Sequence, residues 1–308
     1  MAGLLLAVLI AAGCTGRPAS TTAASTTAAS TTAASNTAAS ATAATRTVSA
    51  KAVATKARVA RRKTTPALPA RVTFSRVRAA DGSIITIATF TGPVQYVLHN
   101  GSEDPGALAG PVKAGPKITG SSRTRLLAAF NGGFKMASLA GGYEQEGRIA
   151  RPLRTGLASL VIDTSGKARI GVWGSGVPAP GERVYSVRQN LWLLLSGGQP
   201  TKESVLWWRW GGTVGHAEYV ARSALGENRA GDIMYAASMS TTPGDLAWAL
   251  ARAGARVAME FDINPEWVQL DAASRPGGPL RAEIPGQWRP ADQYLTGWTR
   301  DFIAVEAP

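Results

Sequence analysis

Short apolar or alternating runs follow one another from about residue 71 onward, and turns rich in glycine and proline separate them. Runs of this length and spacing are typical of short strands in a β-rich domain. One intervening turn, Thr-Ser-Gly-Lys at 164–167, contains the residues that hairpin turns favour. The predicted strands are Ile84–Phe90, Val94–Leu98, Leu126–Phe130, Leu157–Asp163, Ala168–Trp173, Leu191–Leu195, Ile233–Ala236 and Val257–Asp262.

One segment predicts a helix directly before the last of these strands. Thr242 offers an N-cap hydroxyl, Pro243 stands where a missing N–H costs nothing, and Gly254 ends the segment. An apolar stripe at helical spacing consists of Leu246, Ala249, Leu250 and Ala253.

The fold class follows from the many strands and few helices. The chain has no long alternation of strand and helix, which a doubly wound parallel sheet would require. We therefore predict an α+β fold, with a single β-rich domain of mixed sheets and a few helices over residues 71–308. About 240 residues suffice to bury a good core.

The first residues have the composition of an export signal. Residues 1–13 are mostly apolar, yet too few to span a membrane, which takes about 20 apolar residues. Small residues directly before Cys14 resemble a bacterial lipoprotein cleavage site, which would make Cys14 the lipid-bearing N-terminus. An ordinary secretory signal with an incidental cysteine is the alternative. Since Cys14 is the single cysteine, we predict neither a disulfide nor a cysteine metal site in the folded part.

Residues 14–70 predict a disordered tether, because they repeat Ser-Thr-Thr-Ala-Ala and contain few large apolar side chains. Eleven of the 33 lysines and arginines lie within positions 17–78, whereas residues 79–308 carry 22 basic and 20 acidic residues. The basic tether is therefore predicted to meet an anionic membrane surface or wall polymer, the alternative being a merely solvated tether. Behind an export signal we expect no nucleic acid partner. The predicted location is extracytoplasmic: lipid-anchored to the outer face of the bacterial cytoplasmic membrane, or secreted.

A turn in mid-chain offers candidate chemistry. The apolar run Leu126–Phe130 leads into Asn131, Gly132 and Gly133, which bend the backbone sharply at little cost. Such a turn can present an amide side chain and free backbone N–H groups to an oxyanion or a sugar hydroxyl. A plain hairpin turn is the alternative.

Two carboxylates mark the end of the last predicted strand. Because side chains alternate along a strand, Glu260 and Asp262 should share one face, about 7 Å apart. Their mutual repulsion would raise one pKa, and an acid beside a base suits glycosidic cleavage. A solvent-exposed face, or pairing with arginines, is the alternative. Asn264 then ends the strand, and Trp267 supplies an apolar wall of the kind that stacks on sugars.

An arginine before a small-residue segment, Arg222, completes the candidate set, since a guanidinium can hold a phosphate through two parallel hydrogen bonds. Together the segments resemble the phosphodiester glycosidase family over roughly residues 74–305. The resemblance lies in the order of several elements. These are Asn131-Gly132-Gly133-Phe134, the strand and turn at 189–199, Arg222-Ser223-Ala224-Leu225-Gly226, and the helix 243–253 followed by the strand that ends in Asp262.

The chain departs from the family after Asp262. The family usually continues with a glycine run and a serine, whereas this chain has Ile263-Asn264-Pro265-Glu266. Glu260 also stands where the family pattern favours a neutral polar residue.

The resemblance implies an extracytoplasmic hydrolase that cleaves a sugar-1-phosphodiester of the N-acetylglucosaminyl type in a cell-surface glycopolymer or glycolipid. Asp262 would be the catalytic carboxylate, with Glu260 or Glu266 as its partner, and Arg222 would hold the phosphate. The implied substrate-binding residues are Asn131, Gly132, Gly133, His216, Asn264, Glu266 and Trp267.

Two other hypotheses remain open. A catalytically inactive module of the same fold would bind glycan or wall polymer without cleaving it. A metal-dependent phosphodiesterase is a weaker hypothesis, because His99 and His216 are the only histidines and their spacing does not match a two-metal site. We expect no certain cofactor, and a divalent cation bound by oxygen ligands stays an alternative.

Overall fold

Three antiparallel sheets and three helices form the regular structure of residues 69–106 and 110–308, the part that the computed structural model describes. The predicted α+β, β-rich fold is confirmed. The predicted signal segment, the lipidation site Cys14 and the tether as far as residue 68 lie outside the described residues. Among those described, no helix combines the length and apolar character needed to cross a membrane.

The first sheet has seven strands and includes the strand with the candidate carboxylates. Neighbouring strands pair antiparallel throughout. Numbered along the chain and given from edge to edge, they are β1 (Arg71–Arg78), β2 (Ile84–Thr91), β13 (Ile233–Thr241), β12 (Val220–Asn228), β14 (Ala255–Ile263), β10 (Leu193–Ser196) and β11 (Gln199–Pro200).

The other two sheets have five strands each, and their strands also pair antiparallel. The second sheet consists of β16 (Arg281–Ala282), β15 (Leu270–Ala272), β4 (Leu126–Asn131), β17 (Phe302–Glu306) and β3 (Gln95–His99). The third consists of β6 (Arg148–Arg151), β5 (Tyr143–Gln145), β9 (Val184–Gln189), β7 (Ala158–Asp163) and β8 (Ala168–Val172).

The main core draws side chains from all three sheets. Phe130 of β4 lies at its aromatic centre, with ring centroids 5.7 Å from Phe90, 4.8 Å from Tyr235 and 6.2 Å from Phe261. These rings come from strands far apart in the chain, so burying them fastens the second sheet to the first.

The predicted helix is present as α2 (Pro243–Arg252), and α1 (Gly120–Arg125) and α3 (Gln293–Thr296) are shorter. The Thr242 hydroxyl accepts a hydrogen bond from the Asp245 N–H at 3.0 Å, and the Asp245 carboxylate accepts one from the Thr242 N–H at 3.3 Å. This reciprocal cap satisfies two donors that a helix start leaves free. The apolar stripe of α2 packs in a second core with side chains of the first sheet.

Strand β14 alternates as predicted. Met259 and Phe261 enter the main core, whereas Ala258 joins the second core on the side of α2. The hairpin turn at 164–167 is also confirmed, since β7 and β8 pair on either side of it. By contrast, the turn after β4 makes no hairpin, because β4 pairs with β15 and β17 and not with the strand that follows it.

Candidate functional site

A cleft of about 570 Å³ opens where β14 ends. We call it the primary cleft. Its charged lining residues are Asp262, Lys135, Arg209 and Arg300, so three cations face one carboxylate. The lining also includes the aromatic side chains Phe134, Trp208 and Trp267, together with Ser138 and Asn264.

Asp262 is the carboxylate of this cleft. Its side chain is almost buried, with the residue 5 % exposed. One carboxylate oxygen accepts the Ile263 N–H at 2.8 Å, and the other accepts the Arg300 guanidinium at 2.8 Å. Burial raises the pKa of Asp262 to about 7, although the charge of Arg300 and the Ile263 hydrogen bond oppose the rise. The group therefore changes charge near neutral pH.

Arg300 connects Asp262 to three other parts of the site. Its guanidinium also donates to the Gly133 carbonyl at 2.6 Å, lies 3.5 Å from the Asp104 carboxylate and stacks 4.8 Å from the centre of the Trp267 ring. A side chain held by so many partners is fixed in place, and it holds Asp262 in one orientation.

The segment after Asp262 forms a tight turn against the cleft. Asn264 has a φ of 97°, a conformation that glycine adopts easily and asparagine tolerates best among other residues. Its side-chain oxygen accepts the Glu266 N–H at 2.9 Å. The turn presents Trp267 to the cleft, where the ammonium of Lys135 lies 5.2 Å from the ring centre. The segment Ile263-Asn264-Pro265-Glu266 thus forms a turn in which asparagine adopts a conformation that glycine favours.

Asn131 supports the site from within the protein. Its amide donates to the Ser223 hydroxyl at 2.9 Å, and its oxygen accepts the Tyr235 hydroxyl at 2.6 Å. The Ser223 hydroxyl accepts the backbone N–H of Asp262 at 3.1 Å. Asn131 and Asp262 are therefore linked through one residue, but the Asn131 side chain is buried and does not line the primary cleft.

The two glycines after Asn131 are packed too closely for any side chain. A Cβ on Gly132 would lie 2.0 Å from the Asp301 carboxylate, and one on Gly133 would lie 2.9 Å from the Arg188 guanidinium. Arg188 and Asp301 form a buried ion pair at 2.7 Å. The Gly132 N–H donates to the Asp301 carbonyl, and the Gly133 N–H points to the Asp301 carboxylate at 3.4 Å. Both N–H groups are thus engaged inside the protein.

Arg222 and Glu260 form a second buried ion pair, at 2.7 Å, and both residues are 0 % exposed. Arg222 also donates to the Trp210 carbonyl at 2.8 Å. Burial raises the pKa of Glu260 to about 7, against the charge and hydrogen bond of Arg222. Neither side chain lines the primary cleft. Glu260 and Asp262 therefore each pair with an arginine, which was an alternative that the sequence left open for these two carboxylates.

His216 and Glu266 do not line the primary cleft. His216 is exposed on a short 3-10 turn, with a φ of 53°. Glu266 pairs with Arg289 at 2.8 Å near the surface. Within residues 69–106 and 110–308, no group of three or more His, Cys, Asp or Glu side chains lies close enough to hold a metal ion.

The three cations of the cleft, Lys135, Arg209 and Arg300, were not predicted from the sequence. Arg300 lies two residues before the apolar strand β17, but nothing in that local pattern identifies a carboxylate 38 residues away as its partner. Lys135 is exposed two residues after Gly133, but the residue directly after the glycine turn, Phe134, is buried, so the turn did not identify the cation.

The fold and the cleft define a β-rich domain with a carboxylate and several cations around one opening. No protein-family model and no curated protein matches the sequence. Among solved structures, the fold is similar to that of the zebrafish N-acetylglucosamine-1-phosphodiester α-N-acetylglucosaminidase catalytic domain, auto-inhibited by its pro-peptide. The TM-score is 0.50 and the identity 15 %, over 80 % of this chain and 85 % of that chain. A hypothetical protein from Synechocystis matches with a TM-score of 0.45 and 13 % identity, over 80 % and 64 % of the two chains. At these identities the likeness concerns the fold, and membership of the phosphodiester glycosidase family stays a prediction.

Proposed function

We propose that this domain is an extracytoplasmic hydrolase that cleaves a sugar-1-phosphodiester of the N-acetylglucosaminyl type, with Asp262 as the reacting carboxylate. One observation carries the proposal: Asp262 lies in the wall of a cleft, held by Arg300 at 2.8 Å, beside the ring of Trp267. The fold likeness to a phosphodiester glycosidase supports it at the level of architecture.

The charges of the cleft suit an anionic substrate. Lys135, Arg209 and Arg300 outnumber Asp262, and Arg300 is already neutralised by its carboxylate partners. Lys135 and Arg209 are exposed, and within residues 69–106 and 110–308 neither forms an ion pair. These two cations can therefore meet the single negative charge of a phosphodiester, the role that the sequence suggested for the enclosed Arg222.

The aromatic walls suit the sugar. Trp208 is 61 % exposed and Trp267 is half-buried, and both line the cleft. An indole ring offers an apolar face to the C–H groups of a pyranose, and the polar groups of Asn264 and Ser138 lie beside it.

In the proposed reaction, water adds to C1 of the sugar as the bond from C1 to the phosphodiester oxygen breaks. Asp262 accepts a proton from that water, and the departing phosphate takes a proton from solvent, so the products are a free sugar and a phosphate monoester. A carboxylate with a pKa of about 7 is an efficient base near neutral pH. Because a phosphate monoester is already a good leaving group, one carboxylate suffices, and the enclosed Glu260 need not act as an acid.

The proposal is tested with Asp262→Asn, assayed for sugar release from an N-acetylglucosaminyl phosphodiester. We expect kcat to fall by about 100-fold or more. The matched control is Asp232→Asn, in the turn between β12 and β13. Arg222 lies near one end of β12, and Asp232 lies at the other end. The strand rise between these two positions is roughly 20 Å. Equal turnover by wild type and Asp262→Asn would refute the assignment.

A glycan-binding module without turnover is the second candidate, and the low exposure of Asp262 favours it. Stoichiometric binding of the same phosphodiester, with no sugar released on prolonged incubation, would establish this function instead of hydrolysis.

The extracytoplasmic part of the proposal depends on residues 1–14 and on the basic tether. We propose lipid attachment at Cys14, with the tether held near an anionic membrane surface or wall polymer. Incorporation of labelled palmitate into the full chain, and its loss in Cys14→Ser, tests this. Labelling of both proteins, or of neither, would contradict lipidation at Cys14.

A further inference from the structure

A second cleft of about 390 Å³ lies next to the primary cleft. Arg209 lines both, and the neighbouring residues Leu191 and Trp192 line the primary and the second cleft respectively. The second cleft also presents the side chains of Glu203 and Ser196. The two openings therefore share Arg209 and meet at the adjacent residues Leu191 and Trp192.

Trp192 is the main aromatic surface of the second cleft. It is 38 % exposed, and the Arg209 guanidinium lies 5.0 Å from its ring centre. The Trp192 ring also packs edge-on against Trp210, with 6.2 Å between the ring centroids. Trp210 is fully buried and donates its indole N–H to the Glu203 carbonyl at 2.8 Å. A large apolar side chain is thus kept rigid and partly open to solvent.

This combination suits a carbohydrate. A rigid indole gives apolar contact area at low entropic cost, while a carboxylate and a guanidinium beside it can exchange hydrogen bonds with hydroxyl groups. A patch intended for a protein partner would be expected to be broader and less charged at its centre.

We propose that the second cleft is a subsite for a neighbouring unit of a glycan chain, so that the substrate is a polymer of sugar phosphates rather than a single sugar phosphodiester. This rests on the proposed function of the primary cleft. Arg209 would meet the phosphate between two units, with one sugar in each cleft and Trp192 under the more distant one.

The test compares two probes by isothermal titration: methyl N-acetylglucosaminyl phosphate, and a linear oligomer of N-acetylglucosamine 1-phosphate. In Trp192→Ala we expect affinity for the oligomer to fall about tenfold, equivalent to about 1.4 kcal/mol, with affinity for the methyl compound unchanged. The chain offers a close control in Trp248→Ala. Trp248 is 41 % exposed, and Arg252 lies 4.9 Å from its ring on α2. It repeats the same aromatic and cationic pair outside either cleft, so its loss should change neither affinity.

Trp192→Phe distinguishes a loss of binding from a folding defect, because it keeps an aromatic ring against Trp210. It should melt near the wild-type temperature and keep oligomer affinity within about threefold. Equal oligomer affinity in wild type and Trp192→Ala would overturn the subsite, and so would a wild type that binds neither probe. If the wild type binds the oligomer through Trp192 but releases no sugar, the subsite stands and the hydrolase proposal fails.

Discussion

Replacing Arg300 with methionine should destabilise the domain much more at alkaline than at acidic pH. Arg300 is buried and holds the equally buried Asp262 at 2.8 Å. Methionine keeps a long apolar stem, so it can still lie against Trp267, but it removes the positive charge. The variant then has a buried carboxyl group in the cleft wall without the cation that is hydrogen-bonded to it in the wild type.

The size of the stability loss follows from the strength of the ion pair and from the pKa of Asp262. Two unit charges about 4 Å apart attract by about 4 kcal/mol at an effective dielectric constant of about 20, and removing one partner of a buried pair costs about 3–5 kcal/mol. Burial raises the folded-state pKa of Asp262 to about 7, above its ordinary value of 3.8, and losing Arg300 raises this pKa further. At pH 5 Asp262 is protonated in both folded proteins. The loss of the ion pair between Arg300 and Asp262 therefore contributes little to the difference in unfolding free energy between wild type and variant. Above pH 7 Asp262 ionises in the wild type, where Arg300 pairs with the carboxylate. The variant has no arginine at this position to pair with it.

We therefore expect the free energy of unfolding to fall by about 1–2 kcal/mol at pH 5, from the lost bond to the Gly133 carbonyl and the lost contact with Asp104. At pH 8.5 the loss should reach about 3–5 kcal/mol. Urea denaturation followed by tryptophan fluorescence at both pH values measures it.

The control is Arg252→Met, which removes an exposed arginine stacked on Trp248. It should cost under about 1 kcal/mol at either pH. A loss for Arg300→Met that is equal at pH 5 and pH 8.5 would refute the assignment of the ion pair to Asp262.

Three other substitutions test the supports of the site. Gly132→Ala would place a Cβ 2.0 Å from the Asp301 carboxylate, which cannot withdraw, so we expect a loss of about 2 kcal/mol or more and a lower melting temperature. Tyr235→Phe removes the hydrogen bond to Asn131 and leaves a buried amide oxygen one donor short, which should cost about 1–2 kcal/mol in chemical denaturation. Thr242→Ala removes the cap of α2 and should cost about 1 kcal/mol, whereas Thr242→Ser should cost less than half of that.

The sequence was sufficient for the local elements of the fold. The predicted helix 243–253 and the observed α2 (Pro243–Arg252) differ by one residue, because the cap, the proline and the stripe all indicate the same element. The predicted strand Val257–Asp262 lies inside β14 (Ala255–Ile263), and its alternation correctly separates the core side chains from Glu260 and Asp262. Local pattern and final fold agree here because one face of each element is buried.

The sequence was less informative about which polar groups meet. Arg222 and Glu260 lie on neighbouring strands, and only the antiparallel register of β12 and β14 brings them together. Arg300 reaches Asp262 from the segment that leads into β17, a contact that no spacing along the chain encodes. The glycines at 132 and 133 were read as open backbone for a ligand, whereas the structure needs them for close packing against Asp301 and Arg188. Turn residues alone do not distinguish these two uses.

The position of β17 (Phe302–Glu306) has a consequence for how the domain is made. In the second sheet this strand lies between β3 and β4, so Phe302 pairs with His99 on one side and Asn131 on the other. About 170 residues separate Asn131 from Phe302, and a ribosome needs on the order of ten seconds to add them. During that time β3 and β4 have no strand between them, and their edges are open to wrong partners. The same late segment carries Arg300 and Asp301, so the nascent chain acquires its sheet centre and its cleft wall in one event. The segment that adds Arg300 to the cleft wall therefore also covers the open edges of β3 and β4.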